Sequence, residues 1–190
     1  MAANAVKETA KLRRDTKSLG SFTVSGERLI RPLSTGEGGA CELTLSLTPG
    51  QATRTGFELL NDRGEKVDIY FDLTRQRLVM DRTQSGLVHL DRHGEMNVHE
   101  KETDEHRKRL SVNYVNDFAL GTWAPLSLCE GKTYQVQVFV DKTSVEIFVD
   151  GGRIAMTNLV FPTTPYNALR FYSQGGESSV GQLTVHRLGL

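Results

Sequence analysis

The sequence lacks most of what would mark a redox, membrane or nucleic-acid-binding protein. Cysteine occurs twice in 190 residues, at Cys41 and Cys129 and in no C-x-x-C pair, which is too little for a disulfide framework. Both read as buried small side chains, and one bridge between them is the single pairing available. No apolar run approaches the roughly 20 residues that cross a bilayer, so no membrane partner is expected. Met1 to Arg14 holds no apolar stretch of the kind that forms a signal-peptide core. An excess of one charge is missing as well, since 23 Lys and Arg face 23 Asp and Glu. That balance excludes the basic surplus with which proteins hold phosphate backbones, and no nucleic-acid partner is expected.

Three sequence signatures of chemistry are also absent. Gly151-Gly152 and Gly175-Gly176 lack the G-x-G-x-x-G or G-x-x-x-x-G-K spacing of a phosphate cradle with a helix behind it, and they read as turns. Without a G-x-S-x-G elbow, Ser85 beside Gly86 has no warrant as a nucleophile. Nor is a metal or cofactor needed for stability, because a chain of this size hides about 70% of the surface its unfolded form exposes; none is expected.

What is present is period-two alternation. In Cys41-Glu-Leu-Thr-Leu-Ser-Leu-Thr48, Cys41, Leu43, Leu45 and Leu47 face one way and Glu42, Thr44, Ser46 and Thr48 the other, with Pro49-Gly50 as the stop. The same grammar covers Gly56 to Leu60 and, after a turn at Asn61 to Gly64, Val67, Ile69 and Phe71. Further strands read at Leu78 to Asp81, Thr133 to Val140, Ser144 to Val149, Arg153 to Met156, Leu169 to Tyr172 and Val180 to Arg187. Nine short strands with almost no helix predict an all-β fold, two packed antiparallel sheets in a sandwich. The Ala-, Lys-, Glu- and Arg-rich segment Ala2 to Thr16, with a thin apolar stripe of Val6, Ala10 and Leu12, predicts one short helix. The expected division is a helix and linker over 1–20 and a sandwich over 21–190.

One stretch breaks the alternation. From His89 to Arg109 the chain mixes acids and bases with His89, His93, His99 and His106, and it reads as a long solvated loop. His89-x-x-x-His93 would suit a metal only on a helical face, which Gly94 and the surrounding charges argue against, so no metal site is assigned. Carboxylates are more informative. Asp141 and Glu146 flank the turn between the strands 133–140 and 144–149, and in Val145-Glu-Ile-Phe-Val-Asp150 the residues Glu146, Phe148 and Asp150 share a face. An acid beside an aromatic ring can hold a sugar through its hydroxyls and its C–H surface. Equally, Glu146 can be a half-buried acid paired with Arg153 or Arg170, and both readings stand.

Three ordered segments carry a family resemblance: Leu78-Val-Met-Asp-Arg-Thr-Gln-Ser-Gly86, Ala124-Pro125-Leu126, and Gln137-Val-Phe-Val-Asp-Lys-Thr-Ser-Val-Glu-Ile-Phe-Val-Asp-Gly-Gly-Arg153 followed by Met156-Thr-Asn-Leu-Val-Phe-Pro162. Together they resemble the C-terminal β-sandwich module of glycoside hydrolase family 32, which contains levanases, inulinases and invertases. The resemblance implies a lectin-like jelly roll and a role beside a catalytic β-propeller of the same parent enzyme, as a non-catalytic accessory module that packs against it. The alternative it implies is an autonomous carbohydrate-binding module for fructose-containing glycans. Pairing of two copies through the module and export of the parent are further implications. The family's catalytic segments, of the type Trp-x-Asn-Asp-Pro, Arg-Asp-Pro and Glu-Cys, do not occur in these 190 residues: Asn116-Asp117 is followed by Phe118, and the one Trp, Trp123, by Ala124. No catalytic residue is therefore assigned and no hydrolysis by this chain alone is expected. For a sugar site the matching segments point to Asp81, Arg82, Asp141 and Glu146, Arg82 as a forked donor to neighbouring hydroxyls and the acids as acceptors. Their structural alternative is a network in which Arg82 pairs with Glu146 or Asp141 between the sheets.

Overall fold

The computed structural model describes residues 2–33, 35–87 and 118–189; the histidine-bearing stretch 89–109 lies outside them. Among the described residues ten strands form: β1 (Arg13–Ile30), β2 (Cys41–Pro49), β3 (Arg54–Leu60), β4 (Lys66–Asp72), β5 (Arg77–Gln84), β6 (Gly121–Pro125), β7 (Tyr134–Val140), β8 (Ser144–Val149), β9 (Ile154–Leu159) and β10 (Ala168–Leu188). Every pairing among them is antiparallel. Among the described residues no helix is long and apolar enough to cross a membrane.

The expected sandwich forms, with an unexpected hinge. Hydrogen bonding follows one path, β6-β5-β4-β3-β10-β2-β7-β8-β9, with β1 along β10. The path bends into two layers because β10 serves both: Ala168 to Gln174 pair with β3, and Ser178 to Arg187 pair with β2. The corner between these halves is built on glycine. Gly175 has φ +76°, which L side chains resist, and a Cβ on Gly176 would sit 2.6 Å from the Gln51 carbonyl carbon of the β2–β3 link. Far from the corner the two outer strands meet again, where Asn158 of β9 donates to Thr122 Oγ1 of β6 at 2.7 Å.

Between the layers lies one core. Leu43, Leu45, Leu47, Val136, Val138, Val145 and Ile147 come from one side, and Phe57, Leu59, Val67, Ile69, Phe71, Leu78 and Met80 from the other. Phe71 of β4 and Tyr134 of β7 cross the gap edge to face, with ring centroids 5.2 Å apart. These are the inward positions that the alternation marks, so burial of that apolar set selects the register.

Four expectations need correction. The predicted helix over Ala2 to Thr16 is a six-residue 3-10 stretch, Lys7–Leu12, without a buried residue, and Arg13 to Thr16 already belong to β1. An apolar stripe that thin has no face to bury, whereas main-chain pairing with β10 satisfies the backbone directly. The boundary placed after residue 20 consequently falls inside β1. The strands read at 169–172 and 180–187 are two halves of β10. Cys129 is exposed while Cys41 is buried, and both thiols are free; Cys129 lies in the turn before β7, where its N–H donates to the Tyr134 hydroxyl at 2.8 Å.

Candidate functional site

The four sequence-predicted residues take up four different settings. Asp81 on β5 points outward, opposite Asp68 of β4 and Gly121 of β6. Its Oδ1 accepts from the Thr83 N–H at 2.9 Å and the Thr83 hydroxyl at 2.7 Å. The next side chain, Arg82, turns to the opposite side of the strand. Its Nη1 donates to the Leu159 carbonyl of β9 at 2.7 Å and its guanidinium carbon lies 4.5 Å from the centre of the Phe118 ring. Burial pushes the Arg82 pKa down. Among the described residues nothing accepts from its buried Nε. Arg82 thus reaches from β5 to β9 through a main-chain carbonyl, and among the described residues it pairs with neither Glu146 nor Asp141. Asp141 occupies the exposed β7–β8 turn, where its Oδ1 accepts from the Lys142 N–H at 2.7 Å and its N–H donates to Ser144 at 2.9 Å. Glu146 is half-buried on the outer face of β8, between Phe139 of β7 and Thr157 of β9. Arg170, one of its expected partners, binds Glu58 and Glu27 instead.

Asp81 does take part in a polar depression. With Arg54, Lys66, Asp68, Thr83 and Gln84 it lines a hollow of about 210 Å³ on the outer face of the β6–β3 layer. The charges there are already matched. Arg54 donates to Asp68 Oδ2 at 2.6 Å and to the Tyr172 hydroxyl at 3.0 Å while lying 3.6 Å above the Tyr70 ring. The Tyr172 hydroxyl donates to Asp68 Oδ1 at 2.8 Å, and Lys66 to Glu58 at 2.7 Å. Burial holds Asp68 above its ordinary carboxylate range, against the opposing effects of the Tyr172 hydrogen bond and the Arg54 charge. An ion-pair lattice of this kind orders a sheet face and leaves few donors for a ligand.

The outer face of the other layer is different in kind. A groove of about 290 Å³ is lined there by Asn4, Thr44, Gln135, Gln137, Phe148 and Gln182, with Leu45, Val136 and Gly151 at its floor and rim. Among the described residues its lining includes no charged side chain. Thr44, Gln137 and Phe148 stand in one row across β2, β7 and β8. Below the row, Glu42 has no exposed surface and is held by Arg13 Nε at 2.7 Å, Arg13 Nη2 at 2.6 Å and Gln137 Nε2 at 2.7 Å. Burial pushes the Glu42 carboxyl up, and the hydrogen bonds from Arg13 and Gln137 together with the Arg13 charge outweigh it, so the group is held below its usual range. Because an ionised carboxylate only accepts, the NH₂ of Gln137 must face Glu42 and its oxygen is left as an acceptor. Gln182 adds a further amide from a bulge in β10, at φ +50°, pinned by a 3.0 Å hydrogen bond from its N–H to the Ser21 hydroxyl. Among the described residues no three His, Cys, Asp or Glu side chains gather so as to hold a metal ion.

The family described as glycosyl hydrolases family 32 C terminal matches residues 8–187. The chain belongs to it. This family 32 C-terminal domain is 27% identical over 186 residues to a levanase of Bacillus sp. (strain L7), covering 96% of the chain and 17% of the levanase. It is 25% identical over 118 residues to the extracellular exo-inulinase inuE of Aspergillus niger (strain ATCC MYA-4892 / CBS 513.88 / FGSC A1513), covering 62% of the chain and 18% of that protein. The chain therefore spans less than a fifth of the length of either relative. The crystal structure of a fructosyltransferase from A. japonicus has the same fold, with a TM-score of 0.66 at 18% identity over 93% of the chain and 26% of that structure.

Within the family 32 domain, the segments that carry the resemblance lie at β5, at the end of β6 and at β7 to β9, whereas the groove draws on β2, β7, β8, β10 and the N-terminal residues. Part of its lining had a signal: Gln135 and Gln137 alternate with Tyr134, Val136 and Val138, which puts both amides on the face that Phe148 shares. Gln182 had none, because the bulge that turns it outward breaks the period.

Proposed function

We propose that this chain is the non-catalytic β-sandwich domain of an exported, fructan-degrading family 32 enzyme, packing against and stabilising that enzyme's catalytic propeller. The observation that carries this is the reach of the match: a C-terminal family domain accounts for residues 8–187, and the three catalytic segments of the family are not among the 190 residues. The surface supports it. Leu120, Trp123 and Leu159, exposed at 44%, 59% and 52%, each lie within two residues of Thr122 or Asn158, whose hydrogen bond joins β6 to β9 at a seam. Large apolar side chains left in solvent beside such a seam suit a partner domain, and tryptophan is the residue most often found at the energetic centre of an interface.

The test is reconstitution. A family 32 propeller produced without its own C-terminal domain is mixed with this chain and its melting temperature is followed. A rise in the propeller's Tm with formation of a one-to-one complex is expected, while the chain alone releases no reducing sugar from levan, inulin or sucrose. Unchanged propeller stability across several family 32 propellers overturns the proposal. A second reading, binding of a fructose-containing glycan by the domain itself, is favoured by one observation, the uncharged groove on the β2–β7–β8 face.

A further inference from the structure

We infer that this groove is a binding site for a neutral oligosaccharide, with Gln135, Gln137, Gln182 and Thr44 as hydrogen-bonding groups and Phe148 as the apolar wall. Three features argue for a sugar over other ligands. Among the described residues its lining has no formal charge, so an anion or cation leaving water would find no compensating partner there. Its polar side chains are carboxamides and a hydroxyl, Gln137 offering its oxygen as an acceptor and the others able both to donate and to accept, which is the pairing that vicinal hydroxyls require. Beside them Phe148, half-buried and held edge to face by Phe139 at 6.2 Å, offers a surface for sugar C–H groups. The volume of about 290 Å³ is at the small end of ligand pockets and fits a short stretch of a glycan chain.

The groove is also built rather than accidental. Gln137 is oriented from beneath by Glu42, an acid whose position on an outward strand face brings no solvent contact and which is itself clamped by Arg13. Gln182 holds a left-handed backbone that an ordinary residue adopts only at an energetic cost, and its register shift turns the side chain toward the groove. The remaining wall is the N-terminal segment, tied to the β8–β9 turn by the Ala3 N–H on the Gly152 carbonyl at 3.0 Å. There Gly152 is required, since a Cβ would lie 2.0 Å from the Ala3 oxygen.

That the glycan is a fructan rests on the function proposed above; that it is neutral and binds here does not. Isothermal titration of the full chain with levan- and inulin-derived oligosaccharides, and with maltotetraose and cellotetraose as further neutral probes, separates the two. Saturable binding is expected, unchanged between 50 and 500 mM salt because no charge takes part. Gln135→Ala and Gln182→Gly are each expected to weaken it about threefold to tenfold, the effect of losing one neutral hydrogen bond. Both variants should fold: position 135 is exposed, and glycine accepts the backbone at 182 without strain. Their melting temperatures, equal to or above that of the wild type, confirm that only the site has changed. No binding of any probe at about 10 mM, binding untouched by both substitutions, or binding that falls steeply with salt would each overturn the assignment. Binding of maltotetraose or cellotetraose alone, lost in the variants, would keep the groove and remove the fructan reading, leaving the docking role to its own test.

Discussion

Glu42 shows how much a single side chain can organise. It stands at an outward position of β2, yet it has no exposed surface, and Arg13 from the start of β1 closes over it with two hydrogen bonds. Arg13→Ala would leave a buried carboxylate with Gln137 as its remaining donor, and a loss of about 2–3 kcal/mol is expected in urea unfolding, toward the low side for a buried pair because Arg13 is itself one-third exposed. The pH dependence has a definite sign. A carboxyl held below its usual value of 4.5 in the folded state contributes stability that is complete above that value and is lost as the pH falls from there through the lower folded-state value. Thermal melts between pH 7 and pH 3 should therefore show a steeper acid limb for the wild type than for Glu42→Gln. The two cysteines differ as sharply. Burial first, and the charge of Glu42 second, push the Cys41 thiol up to about 12, while Cys129 is exposed. A thiol reagent at pH 8 should label Cys129 in the native protein and reach Cys41 only after unfolding, as intact mass read before and after denaturant will show.

At the scale of elements, strands with one face in the core were legible and the others were not. The alternation of Cys41, Leu43, Leu45 and Leu47, or of Val67, Ile69 and Phe71, is written by burial, and those strands lie where the period put them. β1 is nearly the reverse. Its 18 residues are mostly exposed, it adds to the outside of β10, and register shifts near Arg13, Ser18, Gly20 and Val24 break the period of two. Main-chain pairing holds such a strand, and side-chain patterning does not record it. β6 was missed because five residues ending in proline carry too little alternation. The candidate site was legible to a similar degree: the segments around Asp81 and Glu146 were visible, but their separation into different layers is a property of topology. The hinge of β10 is where an element-level test is sharpest. Gly176→Ala places a methyl against the Gln51 and Ala52 main chain at 2.6 and 2.8 Å, and a backbone contact cannot swing aside. A loss of about 2 kcal/mol is expected in equilibrium unfolding.

The whole molecule is two layers held by one core, with each outer face given a separate character. On the β6–β3 face, Arg54, Asp68, Glu58, Lys66 and Arg170 satisfy one another; on the β2–β7–β8 face, amides stand open around Phe148; at the β6–β9 seam, apolar side chains meet solvent. If the seam is the docking edge, Trp123→Ala should weaken association with a family 32 propeller at least tenfold, about 1.4 kcal/mol, and leave the Tm of the chain within about 2 °C, since the indole is 59% exposed. Gel filtration of the mixture and a melt of the variant alone decide it. The strand that passes through both layers also sets the order of events during synthesis. β10 comes after every other strand and pairs with β1, β2 and β3, so its partners along the hinge are separated from it by more than a hundred residues. Neither layer can close while the ribosome still holds residues 168–188. Closure of the layers is consequently a strongly non-local event, and the nascent chain must keep the apolar faces of β2 to β9 out of aggregates until β10 emerges.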